Sequence, residues 1–124
     1  MTVQEYTKQL ISEFRERLRD WDITKFSEGL KGKLGDDEFT ECMSWIILNL
    51  TKCESLIFDL GVAELECRRL LNDSRDKNNV EAVKFINEAL VSLKDIKAVV
   101  ISRKNYMETV ATLIRSIRSN KPKV

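Results

Sequence analysis

The groups able to do chemistry are cysteine thiols, carboxylates and lysine or arginine cations, because the chain has 3 Cys, 20 Asp plus Glu, 21 Lys plus Arg and no His. Without imidazole there is no Ser-His-Asp or Cys-His nucleophile and no His-containing zinc or di-iron site. Cys42, Cys53 and Cys67 follow one another at steps of roughly three and roughly four helical turns. On a continuous helix those steps return to one face, with the sulfurs roughly 16 Å and then roughly 21 Å apart along the axis. That separation is too long for a bond or a shared metal within one chain. With Ile46, Leu60 and Leu71 on the same face, the thiols read as small buried hydrophobes.

The carboxylate pairs Asp36 with Asp37 and Glu38 with Glu41 would need one member with a shifted pKa in a cleft to act as acid and base. At the start of a helical pattern, capping and the helix dipole account for them. The run Gly29-Leu30-Lys31-Gly32-Lys33-Leu34-Gly35 has neither GxxxxGK followed by Ser or Thr nor GxGxxG, so it reads as a connector. The expectation is a protein that is not an enzyme, with no catalytic residue, cofactor, metal or small-molecule substrate.

Charge is unevenly placed. Residues 36–81 hold 5 basic and 11 acidic groups, whereas residues 103–124 hold 6 basic and 1 acidic. Arg103, Lys104, Arg115, Arg118 and Lys121 are therefore the candidate nucleic-acid contacts, since such cations displace counterions from phosphate backbones. The same residues also suit a helix C-terminus, where cations offset the dipole. The net charge of +1 gives no global drive toward nucleic acid or an anionic membrane.

The elements that must carry these groups are helices. One Pro and four Gly in 124 residues leave little room for a loop-rich or all-β fold. Thr2 and Glu5 have capping-box spacing, and Val3, Tyr6, Leu10, Ile11, Phe14, Leu18 and Trp21 then recur at steps of three and four. A short second segment is expected around Thr24, Phe26 and Leu30, ended by glycines. From Asp36 or Asp37 a third pattern runs through Phe39, Met43, Ile46, Leu50, Cys53, Ile57 and Leu60, passes Gly61, and ends near Asn72. Asn78 and Glu81 repeat the cap spacing before a heptad-like row from Val83 to Ile117, interrupted by the polar run Ser102 to Asn105.

The expected fold is all-α: a bundle of four to six helices, centred on an antiparallel hairpin of two long helices. Breaks at Gly61 and near Ser102 would give the higher count. The whole of 1–124 is expected to be one helical domain, with a basic flexible tail at about 119–124. A helix of ~35 to 40 residues is about 50 to 60 Å long, and the first helix covers only about half of that. Apolar faces left uncovered point to a partner. The expected function is thus a helical assembly or adaptor module, coiled-coil-like, meeting itself or a protein partner through apolar faces. Trp21, Trp45 and Ile57 are the candidate contacts. The alternative is a small nucleic-acid-binding subunit using the basic segment. No membrane span or export signal is expected, and an odd cysteine count suits a reducing intracellular compartment, cytoplasmic or nuclear.

Overall fold

The computed structural model describes residues 1–19, 29–32 and 34–119. The architecture is all-helical: α1 (Val3–Leu18), α2 (Asp36–Asp76) and α3 (Val80–Ser119). Three helices among the described residues replace the four to six expected, because neither long pattern breaks. The expected segment at Thr24 and Phe26 lies outside the described residues, as does the tail from residue 120. Leu30 is helical and is followed by a turn at Lys31 and Gly32.

Two local balances keep the long helices whole. Glycine costs ~1 kcal/mol relative to alanine inside a helix. At Gly61 the neighbouring Leu60 and Ala63 are buried. Fully burying one leucine is worth about 2 kcal/mol, which outweighs the glycine. Near Ser102, Val100 and Met107 are both buried and lie seven residues apart, two turns along one face. The polar run between them sits on an unbroken helix, with Ser102 and Asn105 exposed and Arg103 and Lys104 half-buried. Its Lys104 ammonium lies 3.8 Å from Glu108 one turn on.

The helix ends follow capping chemistry. The Glu5 N–H donates to Thr2 Oγ1 at 3.1 Å, which realises the Thr2 half of the expected box. At the end of α2, Asn78 takes a left-handed φ of 54°. The Asn79 N–H then donates to the Ser74 carbonyl at 2.8 Å, and the Asn78 N–H to that of Arg75 at 3.0 Å. This is the Schellman pattern. The cap of α3 is Asn79 rather than the expected Asn78, since Asn79 Oδ1 accepts from the Ala82 N–H at 3.1 Å. Asn78 is instead the residue that stops α2.

The chain divides into two units, Met1–Asp20 with Leu56–Val100, and Trp21–Ser55 with Ile101–Val124. In the first, the later half of α2 and the earlier half of α3 form a hairpin around Lys77 to Asn79, and α1 lies against it. Arg17 pairs with Asp59 at 2.9 Å, while Tyr6 lies within electrostatic reach of Glu66 and Arg69, so α1 runs antiparallel to α2 there. Phe14, Leu60, Cys67, Ile86 and Leu93 are buried in its core. In the second, Asp36 pairs with Arg118 and Glu54 lies 3.9 Å from Lys104, which sets α2 and α3 antiparallel. Its core holds Cys42, Ile46, Cys53, Met107, Val110 and Ile114.

Candidate partner-binding faces

In the first unit α2 has two faces of opposite character. Leu56, Leu60, Ala63 and Cys67 point inward and are buried, Leu60 being 2% exposed. Phe58, Val62 and Leu65, at spacings of four and three, sit about 180° away at 3.6 residues per turn. They are 71%, 51% and 70% exposed. Gly61 adjoins this row, and a Cβ built on it would meet nothing within 4 Å. On α3, Val91 is also exposed. Isolated apolar side chains on a surface are ordinary, whereas a row of large ones in register along one helix marks a contact face.

The exposed remainder of the 43–71 stripe is where contacts are expected from sequence, and the row lies on it; the three residues named individually are not among its members. Ile57 and Trp45 are half-buried, and the Trp45 carbonyl accepts a hydrogen bond from Asn49 Nδ2 at 2.9 Å. Trp21 lies outside the described residues. Sequence alone does not single out Phe58, Val62 and Leu65 as contacts. Their signal is their position half a turn from the cysteine stripe, which counting the apolar residues of α2 as a single widened stripe conceals.

The basic residues of α3 are placed as follows. The Arg118 guanidinium sits over the Phe39 ring, 4.7 Å from its centroid. Arg118 Nη1 donates to the Leu34 carbonyl at 3.2 Å, and Nη2 pairs with the Asp36 carboxylate. Lys104 stands between Glu54 and Glu108. Arg103 is half-buried and Arg115 exposed. Lys121 lies outside the described residues. Acidic and basic parts of the chain thus meet within the second unit.

The glycine connector is used for close packing. A Cβ on Gly29 would lie 2.5 Å from Ile114 Cδ1, and Gly32 has a φ of +68° beside Ile117. The space enclosed by Gly29, Gly32, Phe39 and Ile114 is no larger than one water molecule needs.

Cys42, Cys53 and Cys67 are all free thiols and buried. Burial pushes the Cys67 thiol above its ordinary range, helped by the neighbouring Glu66 charge. Burial does the same to Cys53, with Arg103 and Lys104 pulling the other way. A thiol held neutral is a poor nucleophile and a poor metal ligand. Among the described residues no group of three or more His, Cys, Asp or Glu is placed to hold a metal ion. No described helix is long and apolar enough to cross a membrane. Compared with known proteins, the chain matches no family model, no curated protein and no solved structure.

Proposed function

We propose that this chain is a non-catalytic helical assembly module that pairs with a second copy of itself through the outer face of α2 in the first unit. The observation that carries the reading is the exposure of Phe58 and Leu65, at 71% and 70%, on the side of α2 turned away from its core. The spacing of the row selects the occupant. When two copies of this helix are laid antiparallel about a twofold axis between Gly61 and Val62, each Phe58 meets the other copy's Leu65. On the two flanks of that line Gly61 comes beside the other copy's Gly61, and Val62 beside its Val62. A face that complements itself is what a closed twofold interface requires. Gly61, with open space beside it, lets the two helices approach closely.

The test is sedimentation equilibrium from micromolar concentration upward, on the full chain and on Phe58→Ser with Leu65→Ser. A monomer–dimer equilibrium is expected in the parent and its loss in the double variant, with helical circular dichroism unchanged. A parent that stays monomeric throughout, or a double variant that dimerises equally well, overturns the proposal. Because the contact is apolar, the parent dimer is expected to persist at high salt, which an association through surface ion pairs does not.

A further inference from the structure

The first unit carries a second unfilled feature, on the side where α1 runs beside α3. Two clefts of about 420 Å³ and about 440 Å³ lie along this side and meet at Phe85. Ile11, Ala82 and Ala89 are buried along their floor and Phe85 is half-buried. The walls differ in charge. Lys8, Arg15 and Arg19 line the α1 side. Spacings of seven and then four positions hold them in one row, about 10 Å and then about 6 Å apart along the axis. Glu81 and Glu88 line the α3 side, again seven positions apart.

These opposite charges face one another without meeting. Arg19, the C-cap of α1, pairs with Glu16. Among the described residues Lys8, Arg15, Glu81 and Glu88 are all exposed and none has an ion-pair partner. Long side chains of opposite sign thus line the two rims of the groove without neutralising one another.

We infer that this groove takes one amphipathic helix of a protein partner. The helix carries carboxylates along the edge over α1, cations along the edge over α3, and an apolar strip between them that covers Phe85. The charge pattern selects this occupant over others. Lys8 lies about 10 Å from Arg15 along the axis and Arg19 is held by Glu16, so the three cations do not converge on one phosphate. The acidic opposite wall repels an anionic ligand or lipid surface. A helix lying along the groove meets both walls at once, and rim charges then fix its direction and register. This surface is separate from the Phe58 row and does not depend on it.

The probe is a designed amphipathic peptide of about 18 residues, ~27 Å as a helix, with Glu on one edge, Lys on the other and Leu between. Its control has the same composition and apolar strip but mixes Glu and Lys along both edges, so that neither binding direction matches the two walls. Binding to the full chain is read by fluorescence anisotropy. The peptide is expected to bind at least about tenfold more tightly than the control, with the gap shrinking as salt is raised. Lys8→Glu with Arg15→Glu should remove or reverse that preference, and Glu88→Lys should weaken it from the other wall. Phe58→Ser with Leu65→Ser should leave it unchanged. Every one of these positions carries an exposed side chain, so the fold is retained, and circular dichroism checks it. Equal affinity for peptide and control, no binding of either, or binding indifferent to both wall variants overturns the inference.

Discussion

Leu60 and Phe58 are two positions apart on α2, and the structure assigns them opposite energetics. Leu60→Ala removes a side chain that is 2% exposed and leaves a cavity in the core of the first unit. Such truncations cost about 2–5 kcal/mol. Phe58 is 71% exposed, so less than a third of its surface is withdrawn from water. Full burial of a phenylalanine is worth up to about 3 kcal/mol, so at most ~0.9 kcal/mol is lost in Phe58→Ala. Alanine's better helix propensity returns roughly 0.5 kcal/mol of that. The net cost of Phe58→Ala is therefore under ~0.5 kcal/mol, several-fold less than that of Leu60→Ala. Urea unfolding followed by far-ultraviolet circular dichroism, at a concentration low enough to keep the chain monomeric, measures both. A cost for Phe58→Ala that reaches about 2 kcal/mol in the monomer, the range of a buried truncation, would mean that the chain's own residues cover the outer face of α2. The exposure of that face would then be refuted.

Three further outcomes follow from the same geometry. Asn79→Ala should lower the unfolding free energy by ~1 kcal/mol through loss of the α3 cap, whereas Asn78→Gly should raise it by a few tenths by relieving a left-handed φ; thermal melts give both signs. Gly29→Ala should destabilise by about 1–3 kcal/mol, since its methyl group collides with the buried Ile114, and Gly29→Ala with Ile114→Val should recover part of that in urea titrations. Because burial raises the Cys67 thiol pKa, the folded state favours the neutral form. That contribution is intact below the unfolded thiol's ordinary 9.0 and is lost as pH rises through the folded value. The urea midpoint should then fall from pH 8 to pH 10, and Cys67→Ala should reduce that fall, the buried Cys53 and the half-buried Tyr6 supplying the rest.

The helical class, the start of α1 at Thr2 and the inward cysteine face of α2 were legible because each is a local periodicity. The helix count was not. Gly61 and the run Ser102 to Asn105 look like breaks when propensity is read alone, and whether a helix continues there is decided by buried neighbours such as Leu60 and Met107. The shift of the α3 cap from Asn78 to Asn79 has a similar origin. Two adjacent asparagines offer the same side chain, and only the left-handed turn that ends α2 distinguishes them. Trp45 and Ile57 stand out in sequence by residue type. Exposure, however, depends on which side of α2 each residue's own unit covers; for Ile57 that unit includes α1, whose pairing through Arg17 and Asp59 joins residues 42 positions apart. The α1 and α3 walls of the groove are likewise distant in sequence, so their opposed charges emerge only once the helices lie side by side.

The antiparallel pairing of α2 on itself is tested most directly by cross-linking. The chain's own cysteines are buried, so new thiols on the outer face react selectively. Chains carrying Phe58→Cys are mixed with chains carrying Leu65→Cys and oxidised under mild conditions. Disulfide-linked dimers that join one chain of each kind are expected, at a yield well above that of either variant alone, because like positions are held about 10 Å apart along the helix axis. Dimers forming as readily from Phe58→Cys alone, or no cross-link at concentrations where the parent chain is associated, would contradict the pairing.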